Sequence, residues 1–140
     1  MASRTWLIQL PKETCEELLG TAVIGRLGVI IDGKPHVFPI SHVYEGGSVI
    51  FPTSDRTKMH AALAWPWVGF EVDGIDADGV HGWSVMVQGR AEEITDADVI
   101  ERAAARRTTP WRTGERVHWI RIVATEITGR RISAATVPDR

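Results

Sequence analysis

VIFPTSDRTKMHAAL, residues 49–63, reads as a strand that enters a polar turn and then a short helix. Val49, Ile50 and Phe51 are strand formers. Thr53, Ser54 and Asp55 are residue types that cap helix N-termini, and Lys58 to Ala64 can be helical. Pro66 stops that helix, because the residue before a proline is pushed out of the α region. The start of a helix exposes unpaired backbone N–H groups and a partial positive charge. Arg56, Thr57 and Lys58 add two cations and a hydroxyl there, which makes a seat for a phosphate. The same residues also suit a capped surface helix with no ligand, so this stretch alone leaves both readings open.

Upstream, Pro11 to Leu19 is expected to be a short helix, with Glu13 at its positive end and Gly20 as its stop. Cys15, Leu18 and Leu19 form its apolar stripe. Ala22 to Ile31 reads as a strand in which Gly25 and Gly28 allow bends. Asp32-Gly33 is a hairpin signal, and Pro35 to Tyr44 is the returning strand. Val37, Pro39, Ser41 and Val43 share one face of it; His36, Phe38, Ile40, His42 and Tyr44 share the other. Pro39 cannot donate to a ladder, so it marks an edge, a bulge, or a place where something other than a strand lies alongside. Glu45-Gly46-Gly47-Ser48 turns the chain back into a third strand, Val49 to Thr53.

Downstream, Trp67 to Asp73 alternates as a strand with one core face, and Gly74 to Gly82 is a loop. Trp83 to Ile94 is a long strand with Trp83, Val85 and Val87 on one side, Ser84, Met86 and Gln88 on the other, and a bend at Gly89. Asp96 to Arg107 is a helix, Thr108 to Glu115 a loop, and Arg116 to Ala124 a sixth strand. Gly129 to Ser133 is a candidate last short strand, and the tail beyond Ala134 is expected to be loosely held. Short strands joined by hairpins exclude a parallel doubly wound sheet, which needs a crossover between each strand pair. The expected class is mainly β (α+β): a six-stranded antiparallel barrel with short flanking helices, residues 1–140 forming one domain.

Composition narrows the function classes. A net charge of −2 gives no general nucleic-acid or membrane binder. The start, MASRTWLIQL, has no long apolar run, and one cysteine allows no internal disulfide, so a cytoplasmic protein is expected. Cys15 lies among apolar residues and reads as a buried, inert thiol. Six Trp suggest a lined pocket or a subunit interface. His36, His42, His60, His81 and His118 have no metal-ligand spacing, and no zinc motif occurs. His42 stands out, since it shares a strand with Pro39 beside the strand that enters the phosphate turn. No GxGxxG, Walker or GxSxG motif is present, so the chemistry of an enzyme here would come from a cofactor.

GRLGVI, DGKPHVFPISHVY, VIFPTSDRTKMHAAL and GWSVMVQGRAEEI, in that order, resemble the pyridoxamine 5′-phosphate oxidase-related family of flavin-binding split β-barrels from about Glu13 to Ile132. The resemblance implies a homodimer with two FMN molecules in grooves between subunits. It places Val37, Phe38, Pro39, Ile40, Ser41 and His42 along the flavin ring, with backbone groups of Phe38, Pro39 and Ile40 at its polar edge. Pro52 and Thr53 would lie near the ring and ribityl chain. Thr57 and Lys58, with Arg56 as a helper, would hold the phosphate. Ser84 would meet the cofactor, in some relatives from the other subunit. The chain ends in GRRISAATVPDR without the Arg–His stretch of true pyridoxamine phosphate oxidases, so that substrate is not expected.

The resulting expectation is an FMN-dependent oxidoreductase acting on a small organic molecule. An alternative is an F420-dependent reductase, for which Arg102, Arg106 and Arg107 would have to form a basic track beside the groove. The other alternative is a non-enzymatic binder of flavin, haem or another planar ligand.

Overall fold

The computed structural model describes residues 2–54, 60, 63–65, 67–106 and 117–137, the side chains of 2–6 and 134–137 excepted. The elements are β1 (Ala2–Gln9), α1 (Lys12–Thr21), β2 (Ile24–Ile31), β3 (Lys34–Ser41), β4 (Val43–Glu45), β5 (Ser48–Ser54), β6 (Trp67–Ile75), β7 (Gly82–Glu93), α2 (Ala97–Arg106) and β8 (Val117–Val137). All pairings are antiparallel. The strand order is β3-β2-β6-β7-β8-β5-β4, and β1 also pairs with β8.

Alternation decides which face each strand buries. Leu27 and Val29 of β2, Ile40 of β3, Phe51 of β5, Phe70 and Val72 of β6, Val85 and Val87 of β7 and Ile122 of β8 all meet in one buried cluster. Strands from both ends of the sheet order supply one core, so the sheet curls on itself into a barrel. Cys15 and Leu19 of α1 enter the same core and are fully buried. Burial raises the Cys15 thiol pKa, in keeping with an inert side chain. A second cluster, Ile50, Ala103, Ile94 and Trp119, holds α2 against the outer face of β5 and β8.

The mainly antiparallel barrel is as the sequence implies, and two features add to it. First, β8 runs 21 residues without a break and does not end at Ala124. It has partners throughout: β5 along Val117–Val123, β7 along Ile120–Ile132 and β1 along Arg130–Val137. Continuous pairing overrides the local polar stretch around Thr125 and Glu126. Second, β1 occupies residues for which the sequence suggests no element, because its partner is the distant end of β8. The described strands therefore number eight, not six. Helix α1 also runs past Gly20 to Thr21, and the Ala22 N–H closes it on the Leu18 carbonyl at 3.0 Å. The expected helix Lys58 to Ala64 lies mostly outside the described residues.

The bend expected at Gly89 coincides with a bulge, which is carried by the facing strand β8. Gln88 pairs with Glu126 and Gly89 with Ala124, which leaves Thr125 extra on β8. Gly25 is not a bend but a close approach, since a Cβ there would overlap the Phe70 ring and lie 2.9 Å from the Glu71 carbonyl oxygen. Gly25→Val should destabilise the protein by about 1–3 kcal/mol through overpacking, read as a lower urea midpoint at unchanged slope. An unchanged midpoint would show that Phe70 has room to move.

Candidate functional site

The barrel opens at one seam. Strands β3 and β4 are a single run interrupted at His42. Beyond His42 the run pairs with β5, Val43 opposite Ile50, Tyr44 opposite Val49 and Glu45 opposite Ser48. Before His42 it pairs only with β2. Continued pairing would set Ser41 opposite Pro52 and Pro39 opposite Ser54, yet the β4–β5 ladder stops at Val43–Ile50. The edge of β3 and the far half of β5, as far as Ser54, are therefore unpaired with each other.

Backbone chemistry explains the parting. Asp32-Gly33 (φ 51° and 75°) and Gly46-Gly47 (φ 59° and 80°) are two-residue hairpin turns in the left-handed region. The pair flanking such a turn is hydrogen-bonded, and pairs alternate from there. Counting from Ile31–Lys34 sends the backbone groups of Phe38 and Ile40 toward β2, and those of Val37, Pro39 and Ser41 toward the seam. Counting from Glu45–Ser48 sends those of Pro52 toward the seam. Both pairs that would close the seam within β5, Ser41–Pro52 and Pro39–Ser54, thus contain a proline, which has no N–H. The carbonyls of Pro39 and Pro52 remain as acceptors lining the opening.

The resemblance sets the backbone groups of Phe38, Pro39 and Ile40 at the ring's polar edge; of these the register turns only those of Pro39 toward the seam, and the Phe38 and Ile40 side chains lie in or against the core. Val37 and Pro39 are exposed, Ser41 and Pro52 half-buried, and Thr53 is buried. Val37 to Ser41 thus lie along one lip of the seam and Pro52 and Thr53 along the other, with His42 where the two lips meet. Arg56, Thr57 and Lys58 lie outside the described residues. Ser84 faces outward on β7, opposite Asp73 and Arg130. Within one chain it stands apart from β3, with β6 and β2 between them.

His42 fastens the seam's inner end. Its ring is buried, edge-on to Phe70 at 4.8 Å, with Nε2 3.0 Å from the Leu19 carbonyl oxygen. Its backbone N–H donates to the Val23 carbonyl at 3.1 Å. One residue thereby ties the end of α1 and the entry to β2 onto the β3–β4 junction. Burial lowers the His42 pKa and outweighs the ring's contact with the Leu19 carbonyl, which favours protonation.

Three side-chain groups have no isolated signal in the sequence, because each is assembled across strands. Arg26 Nη1 lies 2.7 Å from Asp73 and 3.3 Å from Glu71 on the outer face. Desolvation, then the neighbouring Asp73, pushes Glu71 up to about 6 against the pull of Arg26. At the barrel end His118 Nδ1 lies 2.5 Å from Glu93, and the His60 ring stacks on His118 at 4.4 Å. No group of three metal-ligating side chains forms among the described residues. Arg102 and Arg106 reach Glu45 at 2.9 and 3.5 Å, and Arg106 also donates to the Tyr44 carbonyl. Those two are occupied in docking α2, and Arg107 lies outside the described residues. No helix among the described residues is long and apolar enough to cross a membrane.

Comparison with known proteins gives a consistent result. The sequence profile of the pyridoxamine 5′-phosphate oxidase family matches residues 11–131. An uncharacterised Mycobacterium tuberculosis protein is 34% identical over 96 residues, covering 69% of this chain and 86% of its own. A solved structure of an FAD-binding protein from Mycobacterium smegmatis is 35% identical, with a TM-score of 0.76 over 89% of this chain and 98% of that one. An FAD-binding protein from Mesorhizobium loti shares the fold, with a TM-score of 0.77 over 93% of this chain and 99% of that one, at 23% identity.

Two outcomes test this geometry. Replacing Pro39 and Pro52 together with Val restores two donors, so the seam should zip, raising the melting temperature and protecting both new amides from hydrogen exchange. Freely exchanging amides would mean that something else holds the seam open. For His42 the folded pKa lies below the unfolded 6.5, so the unfolded state binds more protons and stability falls as pH drops through 6.5 toward the folded value. Glu71 acts oppositely: its raised pKa adds stability at low pH that is lost as pH rises through 4.5 to about 6. His42→Gln should remove the His42 contribution to the slope between pH 7 and 6, read as the difference from wild type, in which the opposing Glu71 contribution is common to both proteins and cancels; an unaltered slope would assign the loss to another group.

Proposed function

This chain belongs to the pyridoxamine 5′-phosphate oxidase family, and on that premise we propose that it binds a flavin nucleotide in the seam between β3 and β5. The observation that carries the reading is the pair of seam-facing prolines, which leave a slot lined by backbone acceptors where a strand would otherwise close. A flat ring with its own donor and acceptor edge suits such a slot. Val37, Pro39 and Ser41 would meet its polar edge through the backbone, while Phe38 and Ile40 support it from the core side. His42 would hold the inner end of the slot, and Pro52 and Thr53 would flank the ribityl chain. Arg56, Thr57 and Lys58 would hold the phosphate nearest the ribityl group with charge-assisted hydrogen bonds.

The ring, ribityl chain and first phosphate are common to FMN and FAD. The Mycobacterium smegmatis relative is named for FAD, whereas the family resemblance points to FMN. The occupation of Arg102 and Arg106 by Glu45 supports either of these over F420, whose longer anionic tail needs an extended basic track. When bound, the flavin supplies two-electron redox chemistry on a small organic substrate. The protein's part is to bind and orient the ring and to exclude water from its inner side. We further propose a homodimer, in which Ser84 of one subunit reaches the flavin held by the other and so joins a site from which its own strand is remote.

The test is a visible spectrum of the purified protein, before and after incubation with FMN, FAD or F420 and removal of the excess. Retained FMN or FAD supports the proposal; retention of F420 alone, or of none, overturns it. Lys58→Ala should weaken flavin affinity roughly tenfold, the scale of one hydrogen bond to a charged group, while Arg140→Ala should not. Equal affinity in both would remove Lys58 from the phosphate seat.

A further inference from the structure

The cross-strand row that holds Ser84 spans four strands. Asp73 of β6, Ser84 of β7, Arg130 of β8 and Gln9 of β1 are register partners in turn, so all four side chains leave the same, outer face. The other described arginines of the sheet on that face are committed. Arg26 is held by Asp73 and Glu71, Arg90 lies over the Trp67 indole, and Arg121 pairs with Glu92. Arg130 is exposed and has no carboxylate or ring partner among the described residues.

Its surroundings say what a free cation means there. The next row toward the strand ends is apolar: Leu7, Ile132 and Ile75 are 63%, 41% and 77% exposed. Met86, two residues along β7 from Ser84 on the other side, is half-exposed as well. A second copy that covers Ser84 covers these flanks too and takes water away from Arg130. A cation so enclosed is costly without an anion to meet it, and its own chain offers none. Nor can Arg130 reach the seam of its own chain. Strands β7, β6 and β2 stand between it and β3, and it lies seven residues beyond Val123, the last residue of β8 paired with β5, roughly 20 Å along the strand.

The seam has the complementary need. Val37 to Ser41, Pro52 and Thr53 carry no charge, and burial holds His42 neutral. Uptake of two electrons and one proton turns a neutral flavin ring into an anion, with the charge on N1 and the C2 carbonyl. We propose, on the premise of the flavin and the homodimer above, that Arg130 of each subunit lies against the flavin ring held by the other and favours its reduced, anionic form over the oxidised one. Arg130 thereby sets the reduction potential of a site that one chain alone leaves without charge. Ser84, its neighbour in the row, meets the same ring with a hydroxyl.

The test uses the protein carrying whichever of FMN or FAD it retains, reduced anaerobically by xanthine and xanthine oxidase beside a redox dye. Arg130→Gln should lower the ratio of reduced to oxidised flavin affinity about tenfold, the scale of one hydrogen bond to a charged group. For a two-electron couple that is a fall in midpoint potential of about 30 mV. Affinity for oxidised flavin should change little, and Arg130→Lys should recover most of the potential. Arg131→Gln is the control, since its arginine is held by Asp76 at 2.9 Å, and should leave the potential where it was. An unshifted potential in Arg130→Gln with flavin retained overturns the proposal and leaves the flavin reading intact. A wild-type holoprotein that sediments as a monomer also overturns it, and a wild type that retains no flavin overturns both. Dissociation of the Arg130→Gln dimer at unchanged potential would overturn it too, and would give Arg130 to a carboxylate of the second copy.

Discussion

An antiparallel ladder closes only where each residue facing its partner carries an N–H, and Pro39 and Pro52 carry none. Everything else about this barrel favours closure. The core draws side chains from every strand of the main sheet path except the short β4, and the run from β3 into β4 already joins both ends of the sheet. Hydrophobic burial would pull the two edges together, because the residues on either side of the seam are covalently close to paired ones. Missing donors at two positions are enough to oppose this, since a half-made pair buried in a seam leaves carbonyls without partners. The opening is therefore written in backbone chemistry rather than in the side chains of either lip.

His42 marks the boundary between the closed and open parts of that run. On its β4 side the strand is zipped to β5; on its β3 side the edge is released. The imidazole uses its buried position to satisfy a carbonyl at the end of α1, a group that helix geometry leaves without an intrahelical donor. A lysine there would bring a charge into the core, and an aliphatic residue would abandon the Leu19 carbonyl. The seam end and the helix that plugs the barrel are thus secured by one polar side chain among apolar neighbours.

Much of this was legible in the sequence, and the limits have physical causes. The DG and GG turns, the alternation of β6 and β7 and the oddity of Pro39 are local signals, and each carried its structural meaning. The alternation of Pro35 to Tyr44 put Val37 and Pro39 on the correct face. What local reading missed depends on partners far along the chain. Strand β1 has no strong pattern of its own and exists because residues 130–137 pair with it. Gly25 and Gly28 look alike in sequence; only the Phe70 ring against one and open space above the other distinguish a packing glycine from a bare one. The backbone direction of Phe38 and Ile40 needed the register of the turn, which residue types alone do not carry.

Strand β8 serves three others at once, and this has a consequence for how the protein is made. As the chain leaves the ribosome, β5 and β7 emerge with apolar faces and one open edge each, and no β8 yet exists to cover either. The first strand waits longest: more than a hundred residues must be added before residues 130–137 can meet it, on the order of ten seconds at ordinary rates of synthesis. Closing such distant contacts is slow even in the finished chain. Completion of the barrel is thus deferred to the end of translation, and until then the nascent chain carries unpaired strand edges.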